Sequence, residues 1–318
     1  MMKSKKTAFV TGSSGFIGAN LVRALIKRDF SVHTLLRPSS KTWRIEEVLP
    51  QLMRHDGDLS DGDSIRQIIK KIKPDLVFHL ATYGAYPKDT DAERLFDVNI
   101  VGTHRLLEAC RDIENLSRFV YAGSSSEYGL QKEPMQEDML PEPNTLYGLT
   151  KASGTMLCQY FHRVHGTPTV VLRPFSVYGP WEESGRLFPD IITALLKDKS
   201  PALANPDAVR DYIYVEDFVD VLMRAAEESK AVGQIFNAAG GRETSVRKIF
   251  ETIAHVIGSK ATPRYGAAAS RSYDAVNWVG NTSKAQNVLG WSPAHSLEEG
   301  AAKTVLWFRE HLGDYGLN

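Results

Sequence analysis

Cysteine is scarce in this 318-residue chain, which holds only Cys110 and Cys158. Two thiols without metal-ligand spacing exclude a disulfide framework and a thiolate metal site; they point to a reducing compartment, with both side chains buried. An excess of one charge is missing too. Lysine plus arginine and aspartate plus glutamate each number 38, so no overall field draws the chain to nucleic acid or to an anionic membrane. No apolar run approaches the roughly 20 residues that span a bilayer. The basic start from Met1 to Lys6 is followed only by Ala8-Phe9-Val10 before glycines intervene, which is not the pattern of a signal peptide. The expectation is a cytoplasmic protein without a nucleic-acid or membrane partner.

What is present is a regular alternation of strand and helix patterns through the first half. Thr7 to Thr11, Ser31 to Leu36, a short segment ending near His55, Leu76 to Leu80, Phe119 to Ala122 and Thr169 to Leu172 read as buried strands. Between them, Phe16 to Arg28, Ser64 to Lys71, Ala92 to Arg111 and Leu149 to His165 read as helices, the first with Ile17, Leu21, Leu25 and Ile26 at helical spacing. Such alternation builds a doubly wound parallel α/β sheet. After Arg173-Pro174 the rhythm breaks, with helices expected at Leu187 to Leu196, Glu216 to Glu227, Val246 to Ile257 and Leu297 to His311. The division expected is a dinucleotide-binding domain over 1–174, rejoined by 212–240, and a smaller mixed substrate lobe over 175–211 and 241–318. In a sheet of this kind ligands bind beyond the C-terminal strand ends.

The run Thr11-Gly12-Ser13-Ser14-Gly15-Phe16-Ile17-Gly18 leaves a predicted strand and enters a predicted helix, the context a dinucleotide fingerprint requires. Its glycines let a pyrophosphate approach the helix N-terminus. An acidic residue about 20 positions on would mark a free ribose 2′-hydroxyl, but Arg37 stands at the end of the second strand, with Ser39, Lys41 and Arg44 behind it. A guanidinium suits a 2′-phosphate, so NADP(H) is favoured and NAD(H) is the alternative. Asp58, before Leu59, fits either an adenine amino group or the cap of a helix beginning near Ser60.

Tyr147 and Lys151 lie four residues apart, on one helix face. An ammonium beside a phenol stabilises the phenolate and is expected to draw its pKa of about 10 toward the working pH. With Ser124 the pair suits proton transfer at a carbinol or carbonyl: Tyr147 exchanges the proton, Lys151 stabilises the phenolate and reaches the nicotinamide ribose, and Ser124 holds the substrate oxygen.

Together these residues resemble the extended short-chain dehydrogenase/reductase family, in its nucleotide-sugar epimerase, dehydratase and reductase branch. The resemblance covers nearly the whole chain. It also rests on His79-Leu80-Ala81-Thr82, on Asn99 in Val98 to Thr103, on Gly123 to Gly129, on Arg173 to Pro180, on Arg210 to Asp217 and on Leu289-Gly290-Trp291. It implies that Leu80, Ala81, Thr82, Asn99, Pro174, Ser176 and Val177 border the cofactor, that Asn99 also helps to position the site, and that Arg210 and Arg271 contact the diphosphate of a nucleoside-diphosphate sugar. Many relatives carry asparagine where Ser176 stands. The resemblance further implies a homodimer through the helices near 92–111 and 149–165, the second of which carries Met156, Leu157, Tyr160 and Phe161.

Dehydratases of the branch resemble one another in placing a carboxylate two residues before the position of Tyr128. This chain has Ser125 and Ser126 there, with Glu127 one place later, so elimination is disfavoured. Tyr83, in a loop resembling that of some deoxysugar 4-keto reductases, is a candidate sugar contact, as are Ser125 and Ser126. The expected reaction is reduction of the C4 ketone of a nucleotide-linked 4-keto-6-deoxyhexose by NADPH. A C4 epimerase with retained NAD is the alternative, and a dinucleotide sensor without turnover represents a different class.

Overall fold

The computed structural model describes residues 5–86, 89, 91–268 and 278–315. Seven strands form one parallel sheet in the order Ile235–Ala238, Thr169–Pro174, Arg118–Ala122, Leu76–His79, Thr7–Thr11, Ser31–Leu36 and Met53–Asp56. This is the doubly wound sheet expected from the alternation. Side chains alternate across it because the pleat has a period of two. In the first strand Ala8 and Val10 enter one hydrophobic layer, and Phe9 enters the other. Helix Phe16–Lys27 buries Leu21, Val22 and Leu25 against the first layer. Helix Gly62–Ile72 buries Ile65 and Ile69 against the second.

Helix Leu146–His165 starts three residues before the expected Leu149, because the Thr145 hydroxyl accepts from Gly148 N at 3.0 Å and caps the extra turn. The extension places Tyr147 in the first turn. The helix expected over 92–111 is present but not regular: Ala92–Phe96 and Gly102–Cys110 flank a π-helical segment, Asp97–Val101, that contains Asn99. Asp61, rather than Asp58, caps helix Gly62–Ile72, accepting from Ser64 N at 3.0 Å. Among the described residues no helix is long and apolar enough to cross a membrane.

Val209–Tyr214 pairs with Ser176–Tyr178 on one side and Glu243–Ser245 on the other, forming a small mixed sheet. A separate hydrophobic cluster lies beside it, containing Phe188, Ile191, Ile249, Ile253 and Phe308. Within 241–318, the part expected in the smaller lobe, Ala285, Leu289 and Trp291 pack into a layer of the main sheet. Helix Ser283–Leu289, which the sequence pattern does not predict, carries Ala285 and Leu289 there, and Trp291 follows it.

Candidate active site

A cleft of about 1260 Å³ opens at the C-terminal strand ends, between the main sheet and the small mixed one. The glycine turn forms its floor. Gly12 has φ +75°, and a Cβ there would lie 2.7 Å from Ala81 N; a Cβ on Gly18 would lie 2.1 Å from Gly12 O. No side chain fits at either position. The following helix begins at Gly15 without a side-chain cap or an acidic first turn, so its first N–H groups are left for an anion. A crowded, side-chain-free turn aimed at a cleft fits a dinucleotide pyrophosphate.

Of the residues expected to hold the dinucleotide, all but Asn99 line this cleft. Asn99 is 2% exposed. Its Oδ1 accepts from Tyr83 N at 2.8 Å and from the Thr82 hydroxyl at 3.2 Å, and its Nδ2 donates to Tyr83 O and to the Thr150 hydroxyl. The amide is therefore fully engaged within the protein, and Asn99 is a brace between the 82–83 loop and the helix of Tyr147 rather than a cofactor contact. Arg37 lines one end of the cleft with Ser39, Ser40 and Lys41. Arg44 lines it too, but its guanidinium is tied to Trp181 O at 2.8 Å and to Glu183 at 2.7 Å. Asp58 lines the cleft while its Oδ1 accepts from Ser60 N at 2.8 Å.

Ser124, Tyr147 and Lys151 converge on the same cleft. Ser124 opens the turn Ser125–Tyr128 with a capping box: its Oγ accepts from Ser126 N at 3.1 Å, and Glu127 Oε1 accepts from Ser124 N at 2.8 Å. Burial pushes the Tyr147 phenol above its usual range, against hydrogen bonds with Ser124 and Thr82 and the Arg186 guanidinium, which pull it down. The expected drop toward neutral is thus not what the protein alone produces, because burial outweighs the polar neighbours. Lys151 is 3% exposed, its Nζ 4.4 Å from the centre of the Tyr121 ring. Burial brings its ammonium down to about 8, opposed by the Glu127 carboxylate. Its neighbour His79, wholly buried, bonds Thr11 and Thr103 and is held to about 3, so it stays neutral.

Glu127 does not line the cleft. Its Oε2 accepts from Arg173 Nε at 2.8 Å, both side chains being almost wholly buried. Ser125, Ser126, Tyr83 and Arg210, all expected substrate contacts, do line it; Arg271 lies outside the described residues. Cleft residues that the sequence does not single out include Glu182, Arg186 and Trp278. Local sequence carried no signal for them, since each reaches the cleft through chain segments remote from the glycine turn and the Tyr-x-x-x-Lys pair.

Residues 8–239 match the model of the NAD dependent epimerase/dehydratase family. A UDP-glucose 4-epimerase of Mycolicibacterium smegmatis is 31% identical over 94% of this chain and 97% of its own length. A dTDP-glucose 4,6-dehydratase of Salmonella typhimurium is 28% identical over 94% of this chain and 91% of its own. The crystal structure of UDP-glucuronic acid 4-epimerase from Bacillus cereus, in complex with UDP-glucuronic acid and NAD, superposes with a TM-score of 0.84 at 29% identity, covering 96% of this chain and 99% of that one. The chain belongs to the NAD-dependent epimerase/dehydratase family, within the extended short-chain dehydrogenase/reductase branch.

Proposed function

We propose that this protein reduces the C4 ketone of a nucleoside-diphosphate 4-keto-6-deoxyhexose, with NADP(H) as its cofactor. The observation that carries the reading is the placement of two carboxyl-free positions beside a complete proton-transfer set. Ser124, Tyr147 and Lys151 share the cleft with Ser125 and Ser126, while Glu127, the carboxylate next to them in sequence, is turned inward onto Arg173. The cleft therefore has the groups for exchanging a carbonyl and a carbinol, and serine hydroxyls where elimination of water calls for a carboxylate base.

In this reading the glycine turn holds the dinucleotide pyrophosphate and Arg37 the 2′-phosphate. Bound there, the nicotinamide supplies the hydride. Ser124 donates a hydrogen bond to the C4 oxygen and fixes its distance from Tyr147. Tyr147 gives its phenolic proton to that oxygen as C4 gains the hydride, so the ketone becomes a carbinol and the tyrosine a phenolate. The Lys151 ammonium stabilises the phenolate until solvent returns the proton. A phenol held protonated by burial suits this direction, in which it acts as an acid. Arg210 and Arg271 hold the diphosphate. The division into a dinucleotide-binding domain and a substrate lobe is part of the same reading.

C4 epimerisation with a retained NAD is the second reading, favoured by the match to UDP-glucose 4-epimerase along almost the entire chain. Incubation with 4-keto-6-deoxy sugar nucleotides, while absorbance of the reduced nicotinamide is followed, separates the two. Stoichiometric loss of absorbance supports reduction, whereas inversion of a 4-hydroxy sugar without net loss supports epimerisation.

We further infer a homodimer. Leu149, Met156, Tyr160 and Val164 form an exposed apolar stripe along helix Leu146–His165, whereas Phe161 faces inward and Leu157 packs against the core. Light scattering at micromolar concentration should give twice the chain mass, and a monomer would refute the inference.

A further inference from the structure

Trp278 occupies a place in the cleft that the proposed chemistry leaves without a task. Its indole is 8% exposed and lines the cleft. Its Nε1 donates to Ser125 Oγ at 3.2 Å, and the Arg210 guanidinium lies 5.0 Å from its ring centre. Tyr128, Met135, Phe175 and Ala239 back it in a small hydrophobic cluster. The segment that follows is pinned: Met135 N donates to Val279 O at 2.8 Å, Asn281 N donates to Met135 O at 2.9 Å, and Gly280 N donates to Asp211 at 3.1 Å. A Cβ on Gly280 would lie 2.6 Å from the Phe175 ring, so the strand of chain behind the indole has no slack.

Position gives this wall its meaning. Ser125 adjoins Ser124, which the proposed function places at C4, and Arg210 is the cation placed at the diphosphate on C1. In that reading the indole, bonded to Ser125 and beside Arg210, borders the stretch of the cleft between C4 and C1. The ring N–H is already donated to Ser125, so what faces the sugar is hydrocarbon. Of the two long edges of a pyranose, the C2–C3 edge carries two hydroxyls that need partners, and the edge through C5 is apolar only when C6 is a methyl group. A hydroxymethyl group against this wall would bury a hydroxyl without a partner, and a C6 carboxylate would bury a charge.

We propose that Trp278 is a specificity-determining residue, packing its indole against the C5–C6 edge of the sugar and selecting nucleotide sugars whose C6 is a methyl group. The inference rests on the proposed function for the location of C1 and C4.

Calorimetric titration with pairs of nucleotide sugars that differ only at C6 tests it: GDP-D-mannose with GDP-D-rhamnose, dTDP-D-glucose with dTDP-6-deoxy-D-glucose, and UDP-D-glucose with UDP-6-deoxy-D-glucose. The pair whose base is accepted should show the 6-deoxy member binding tighter by about 5- to 100-fold, the range for leaving one hydroxyl buried and unpaired. Trp278→Phe keeps the hydrocarbon wall and loses only the bond to Ser125, so it should retain the preference. Trp278→Thr opens the wall and should bring the two members within about twofold. Equal or tighter binding of the hydroxymethyl member by the native protein overturns the proposal, as does an undiminished preference in Trp278→Thr. Absence of binding by every nucleotide sugar overturns the nucleotide-sugar reading itself and this inference with it.

Discussion

Arg173 Nε donates to Glu127 Oε2 across 2.8 Å, joining a strand of the main sheet to the turn that carries Ser124. The second Glu127 oxygen accepts from the Ser124 backbone, so one carboxylate both neutralises a buried guanidinium and fixes the serine. Removing one member of a buried pair leaves the other charged and unsolvated. Glu127→Ala should therefore destabilise the protein by about 3–5 kcal/mol, read as a fall in the urea midpoint at unchanged slope. A loss below about 1 kcal/mol would mean that water solvates the pair.

Tyr147 carries the proton in the proposed reaction and sits in the first turn of its helix, well away from the glycine turn in sequence. Tyr147→Phe should lower kcat by about 10²- to 10⁴-fold while dinucleotide affinity, followed by nicotinamide fluorescence, changes by less than about threefold. Full turnover in this variant would remove the proton-transfer assignment and favour a binding protein without catalysis.

Lys151 sets a limit at alkaline pH. Its ammonium in the folded protein loses its proton near 8, against 10.5 for an ordinary lysine. The charge that stabilises the phenolate thus disappears as pH rises through about 8, and kcat/KM for reduction should fall along a limb centred there. Lys151→Arg keeps its charge and should shift that limb upward. Stability runs the other way. Between 8 and 10.5 the unfolded chain binds the extra proton, so the penalty for burying this ammonium is full below pH 8 and fades as pH rises through that window. A rate that stays flat to pH 10 would show that the charge is not needed.

Arg37 decides the cofactor in the proposed reading. Arg37→Ala should weaken NADPH binding by about 10- to 100-fold, the worth of one or two charge-assisted hydrogen bonds, and leave NADH within about twofold. Equal losses for both dinucleotides would assign Arg37 to some feature they share.

Much of the sheet could be read from the chain because its strands are short apolar runs bounded by turns. Each helix between them repeats its apolar residues at its own period. Ser31–Leu36, Leu187–Leu196 and Val246–Ile257 fall within the ranges expected for them. The three-residue strands Ser176–Tyr178 and Glu243–Ser245 were invisible because pairing with Val209–Tyr214, rather than any periodicity of their own, makes them strands. The π-helical segment at Asn99 was equally hidden. Its local sequence is ordinary helix, and the amide finds its partners in the 82–83 loop and at Thr150.

By itself the sequence determined whatever depends on neighbours within a few positions: a glycine turn that only glycine can form, a tyrosine and a lysine one helical turn apart, and the absence of an acidic residue where Arg37 stands. The tertiary structure alone decided which way Glu127 points, which apolar residues of helix Leu146–His165 are left outside, and that the indole of Trp278 meets Ser125 across 153 residues of chain. Backbone geometry links only residues close in sequence, so contacts made by distant segments come into being when packing brings those segments together.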